Sequence, residues 1–155
     1  MAGAHESGSD SIQYKIREDV ADQGWSWIWV FDPDASRPPF AYSIGFTATF
    51  GHPEVVVVGL PEDASVSVLQ AVEAELAEGV RYQDGSSSDE ILNGFPVRFQ
   101  RVPEELSSVN LVQASNFYAG KIPSALQLIW PDRDGNYPGG PGTPTWLNDR
   151  QALGL

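Results

Sequence analysis

The chain holds one embedded histidine, His52, in the run Gly51-His52-Pro53-Glu54. An imidazole titrates near neutrality, and a neighbouring carboxylate can fix its tautomer and raise its pKa. His52 and Glu54 therefore read as a candidate catalytic acid–base pair, with Asp132 as an alternative carboxylate. Gly51 can take a positive φ, and Pro53 pushes His52 toward extended geometry, so the ring is expected on a fixed piece of a tight connection. Candidates for ligand contact are Tyr42 and Ser43 just upstream, Arg98, and Gln127 and Asp132 late in the chain. Arg98 suits an anion if its strand face lines a cavity; otherwise it faces solvent. His52 has a structural alternative too, as a turn residue whose ring caps a carbonyl. Catalysis, ligand contact and structure all stay open for it at this point.

Several chemistries are excluded. Cysteine is absent, so there is no disulfide, thiolate nucleophile or cysteine-ligated zinc, which fits a reducing cytoplasm. Two distant histidines do not supply an ordinary three-ligand zinc site, and no metal site is expected. The sequence specifies no cofactor. No G-x-S-x-G elbow activates a serine. Gly85 lacks the lysine of a phosphate-binding loop, and Asp32 and Asp34 lack the spacing, Gly and final Glu of an EF-hand. A net charge of −12 makes nucleic acid and anionic membranes poor partners. It suits solubility or a basic protein partner. No apolar run approaches the roughly 20 residues that span a bilayer. The N-terminal MAGAHESGSD has no secretory pattern, and His5 within it is expected to be solvated. The expected location is the cytoplasm.

The elements that must position these residues follow from periodicity. Phe40, Tyr42, Ile44 and Phe46 alternate with Ala41, Ser43 and Gly45, which predicts a strand with one large face and one small face. A small face with glycine marks the close approach of a helix or a ligand. Val55 to Val58 is apolar in both registers and predicts a strand buried on both faces. Phe40 to Leu60 thus reads as strand, turn, strand. Trp25, Trp27, Trp29 and Phe31 form an aromatic face opposite Ile28 and Val30, which predicts a strand central in the sheet. Those rings are core, or else a stacking platform for a ligand. A hairpin is expected across Asp32–Pro39.

Ile12, Ile16 and Val20 predict a helix over Ser11–Gln23, stopped by Gly24. Leu69, Val72 and Leu76 predict a helix over Pro61–Glu78, with Glu62 and Asp63 at its positive end. Val80–Gln83 is expected as a short strand, followed by a polar turn over Asp84–Asp89. Phe95–Val102 and Leu126–Trp130 read as strands, and Leu111–Tyr118 as a weaker helix. Residues 1–10 are expected to be flexible, residues 11–137 to form a single α+β domain, and residues 138–155 to be a Gly/Pro-rich tail without regular structure, pinned by Trp146. The fold class is α+β, a mainly antiparallel sheet of about five or six strands with two or three packed helices.

Tyr42-Ser43-Ile44-Gly45-Phe46, Gly51-His52-Pro53-Glu54, Gly59-Leu60-Pro61 and Leu126-Gln127-Leu128-Ile129-Trp130-Pro131-Asp132, in that order, resemble the bacterial family called domain of unknown function 4262. The resemblance covers roughly Trp25 to Tyr137. One departure is that Gly135-Asn136-Tyr137-Pro138 runs into Gly139-Gly140-Pro141-Gly142, where the family has a G-x-x-P-W-like ending. The resemblance implies no activity. The expected function is binding of a small ligand or a protein partner. One alternative is a small enzyme using His52 with a carboxylate. Another is an acidic immunity-type or regulatory protein that neutralises a basic partner.

Overall fold

A computed structural model describes the backbone of residues 2–153 and the side chains of residues 10–153. Its centre is β3 (Glu54–Val58), whose five residues are all buried. Four consecutive valines at 0% exposure contribute roughly 1.5–3 kcal/mol each through burial. β3 pairs antiparallel with β2 (Phe40–Ile44) and parallel with β6 (Ala125–Ile129). Outside these lie β1 (Ser26–Val30) next to β2, and β5 (Phe95–Arg101) then β4 (Ser87–Leu92) beyond β6, all antiparallel. The expected α+β class and mainly antiparallel sheet of about five or six strands are what the structure has, with six strands.

Helices cover both faces of the sheet. On one face α3 (Glu62–Ala77) lays Val68, Leu69, Val72 and Leu76 against Ala41, Val55, Val57 and Leu128. The small face of β2 is where α3 packs. On the other face, α1 (Ala2–Gln23), α4 (Glu104–Asn110) and α5 (Val112–Phe117) pack Ile16, Leu111 and Ala114 against Phe40, Tyr42, Ile44 and Val56. α1 starts at Ala2, upstream of the expected Ser11, and stops where expected: Gly24 takes φ 90° and its N–H donates to the Val20 carbonyl. The His5 side chain lies outside the described residues.

Four expectations need correction. β1 is an edge strand, not a central one. It is apolar in both registers because both of its faces are covered, with Trp27 and Trp29 against the α3 side and Ile28 and Val30 against the other. Two-sided apolarity reports the layers above and below a strand, not its place in the sheet. Residues 80–83 form no strand; the Tyr82 N–H donates to His52 Nε2 instead of a ladder. The partner of β5 is Ser87–Leu92, an edge strand whose Asp89 and Glu90 are exposed, as edges that avoid aggregation tend to be. Finally, the connection between β2 and β3 contains a helical turn, α2 (Phe46–Phe50), which takes Phe46 out of the strand. Together with α6 below, the described residues carry six helices, not two or three.

The tail docks through a short helix, α6 (Thr145–Arg150), and the pin is not Trp146. Trp146 is half-exposed, whereas Leu147 is fully buried. Gln151 is buried beyond the end of β6. Its Oε1 accepts the Trp130 N–H at 3.0 Å, its Nε2 donates to the Trp130 carbonyl at 2.7 Å, and its own carbonyl accepts Gln127 Nε2 at 2.7 Å. Gly59, at φ 93°, lies under this helix: a Cβ there would stand 2.3 Å from the Arg150 carbonyl oxygen.

Candidate functional site

The Gly-His-Pro-Glu loop is built around the Glu54 carboxylate. β2 ends at Ile44, and Gly45 turns the chain with φ 115°. A Cβ at that position would meet the Gly24 carbonyl at 2.7 Å and the Trp25 Cα at 2.8 Å. The turn aims three backbone N–H groups at Glu54: Gly45 at 3.1 Å, Phe46 at 3.1 Å and Thr47 at 3.2 Å. The Ser43 hydroxyl donates to Glu54 at 2.7 Å, and so does the Tyr118 hydroxyl from α5's end. Ser43 Oγ in turn accepts the Val55 N–H at 2.9 Å. Glu54 is fully buried, and burial pushes its pKa up while Tyr118, Ser43 and the backbone donors pull it down. A shell made of donors fits the ionised carboxylate. Tyr118 is pushed up as well, by burial first and then by the Glu54 charge beside it, so it stays a phenol.

His52 is equally committed. It is 2% exposed, its Nδ1 lies 2.7 Å from the Pro53 carbonyl, and its Nε2 accepts the Tyr82 N–H at 3.0 Å. These partners fix the neutral tautomer with the proton on Nδ1, and burial lowers its pKa. The ring meets Tyr82 edge-on, and Tyr82 stacks on Phe99 at 4.2 Å in the α3-side core.

The remaining candidates are dispersed. Ser43 joins Glu54. Tyr42 sits in the opposite core, where its hydroxyl accepts the Gln113 N–H at 3.1 Å and burial raises its pKa. Arg98 is exposed, its guanidinium 3.6 Å from the ring centre of Tyr137. Gln127 holds the tail through Gln151. Asp132 accepts the N–H groups of Asp134 and Asn136 and the Asn136 side-chain amide, and the Asn136 backbone bond leads in holding its carboxyl below the usual range. It closes its own turn. Among the described residues no group of three His, Asp or Glu side chains converges to hold a metal.

A broad concavity lies elsewhere, on the face opposite α3. It is an open groove of about 1170 Å³. Its floor is Ile28, Val30, Phe40 and Tyr42 from the β1–β2 hairpin, and Trp27 and Trp29 border it at the sheet edge. Val109, Asn110, Val112 and Gln113, at the α4–α5 junction, form one wall. The Asp32–Pro38 loop, Ile12 of α1, and Asp149, Ala152 and Leu153 of the tail complete it. Tyr42 is 1% exposed and is the polar group at the floor. Its oxygen is taken by Gln113, and its own proton meets no acceptor among the described residues.

Over residues 19–144 the chain matches the family described as domain of unknown function (DUF4262). The chain belongs to the DUF4262 family. No curated protein and no solved structure matches it. The span matched to DUF4262 contains all six strands, the Glu54 donor shell, His52 and the groove floor. Ile12, Asp149, Ala152 and Leu153 lie outside that span, so two borders of the groove are built from residues beyond the DUF4262 match.

Sequence reasoning found Tyr42, Trp27 and Trp29 but not the groove that joins them. Its other wall comes from Val109 to Gln113, a short stretch between two short helices with no motif. Tyr118 and Gln151 were also missed. Neither carries a local signal, because each acts on residues more than twenty positions away.

Proposed function

We propose that this DUF4262 protein binds a small, largely apolar molecule in the groove, with the Tyr42 phenol as hydrogen-bond donor at its floor. The carrying observation is a groove of about 1170 Å³ with aromatic and aliphatic walls and one buried phenol whose proton has no acceptor among the described residues. Ligand sites are typically concave and apolar, with a few placed polar groups. The buried polar atoms near the Gly-His-Pro-Glu loop support binding over acid–base catalysis. His52 has both ring nitrogens engaged, and Glu54 is enclosed by five donors. Neutralisation of a basic partner rests on net charge alone.

The test is a thermal-shift screen of aromatic and aliphatic metabolites against the native protein, Tyr42→Phe and Val112→Trp. Val112 is half-exposed on the groove wall, so an indole there fills the space without disturbing the core. Ligand stabilisation is expected for the native protein and is lost on filling. Tyr42→Phe should weaken affinity about tenfold, the worth of one buried hydrogen bond. A ligand that stabilises all three proteins equally binds elsewhere and overturns the proposal.

A further inference from the structure

The polar groups around the groove are unequal in sign. Asp32, on the β1–β2 loop, and Asp149, on α6, face one guanidinium, Arg37. Asp32 is kept ionised: the Ser36 hydroxyl and the Asp34 N–H, at 3.0 Å, hold its carboxyl below the usual range, and Arg37 adds to that lowering. Arg37 makes no ion pair with either acid among the described residues. Asp149 is exposed and has no counter-ion among the described residues, whose one ion pair is Lys15–Asp19. Phe31, at the end of β1, also lines the groove and is 61% exposed, while Trp27 and Trp29 border it at the sheet edge. Aromatic faces attract cations. Trp27 already does so here, with the Lys15 ammonium 5.8 Å from its ring centre. The chain's charge of −12 raises the local concentration of cations further.

We infer that the groove selects an organic cation: an aromatic or aliphatic body carrying a protonated amine or a quaternary ammonium. The inference rests on the groove being the binding site. A cation would have Asp149, unpaired among the described residues, and the exposed Phe31 ring beside it, while its body replaces water over Ile28, Val30 and Phe40. An anion of the same shape would meet the same acids with the opposite sign.

Calorimetry with three probes that share one ring system tests this: tryptamine as cation, tryptophol as neutral alcohol, and indole-3-acetate as anion. At low salt, tryptamine is expected to bind roughly tenfold more tightly than tryptophol, with indole-3-acetate weaker still. Asp149→Asn should reduce the tryptamine preference several-fold, as should 0.5 M NaCl, which screens exposed charge. Equal affinity for all three probes, abolished by Val112→Trp, overturns the cation inference and leaves the groove reading intact. Tryptamine binding that ignores Val112→Trp overturns both. Absence of binding by all three at millimolar concentration also overturns the cation inference, while the Tyr42 and Val112 screen decides the groove by itself.

Discussion

Replacing Glu54 by glutamine keeps the shape and removes the charge. The carboxylate accepts from Ser43, Tyr118 and three consecutive backbone N–H groups, with both oxygens used. A glutamine amide has one acceptor oxygen, so its NH₂ must face donors. Its least costly orientation places the NH₂ where Oε1 was, with the Ser43 hydroxyl turned to accept and the Phe46 N–H unpaired. An orphaned buried N–H costs about 1–3 kcal/mol, and each bond that loses an ionised acceptor weakens by about 1 kcal/mol. Relief from burying a charge offsets part of this. The net expectation is a loss of about 3 kcal/mol. For a chain of this length that corresponds to roughly 6–12 °C in Tm. Urea denaturation followed by tryptophan emission should show a lower midpoint at unchanged slope. Tyr118→Phe removes one donor and should cost about 1–2 kcal/mol, less than additively with Glu54→Gln. A Glu54→Gln protein within about 1 kcal/mol of the native one would mean that the carboxyl is neutral when buried, and the donor-shell reasoning would be refuted.

Gly59→Ala adds a methyl 2.3 Å from the Arg150 carbonyl at a positive φ. It should destabilise by at least about 2 kcal/mol and expose residues 145–153 to limited proteolysis. Gln151→Leu leaves the Trp130 N–H and carbonyl without their partners and should cost about 2–4 kcal/mol by denaturation, whereas a loss below 0.5 kcal/mol would show that the tail is not held by that amide. His52 has a lowered pKa when folded, so below its unfolded value of about 6.5 the unfolded chain binds the extra proton. The stability that His52 contributes is therefore present above that pH and fades on acidification toward the folded pKa. Glu54, raised when folded, runs the other way, so the readout is a difference: the cost of His52→Gln should shrink between pH 7.5 and pH 5. A cost independent of pH would contradict the buried neutral imidazole.

What was legible in the chain was what a local period encodes. Four valines in a row announce a strand covered on both sides, and Leu69, Val72 and Leu76 announce a helix stripe; both stand where expected. The hairpin across Asp32–Pro39 follows from turn residues between two strands. Lateral position in the sheet was not legible, because Ile28 and Val30 are apolar for the layer that covers them and say nothing of a neighbour strand. Val80 to Gln83 misled for a related reason. It was expected as a short strand, but the Tyr82 N–H goes to an imidazole thirty residues earlier.

The same logic explains why His52 and Glu54 drew attention as chemistry. Buried backbone N–H groups must be paired, and a chain that bends sharply between two buried strands has several to satisfy. At the start of this bend Gly45 and Phe46 are buried with Glu54, so water does not satisfy their N–H groups. A side chain able to accept many bonds is then needed at the bend, and a carboxylate has the greatest capacity. An imidazole with one donor and one acceptor suits the joint between the Pro53 carbonyl and the Tyr82 N–H. Residue types suited to catalysis are thus also those that close irregular backbone, and from spacing alone the two uses look alike. They separate in three dimensions by where the lone pairs and protons point. Those of His52 and Glu54 end on the protein's own backbone, Ser43 and Tyr118, while Tyr42, which carried no motif chemistry, lines the groove and donates to no acceptor among the described residues.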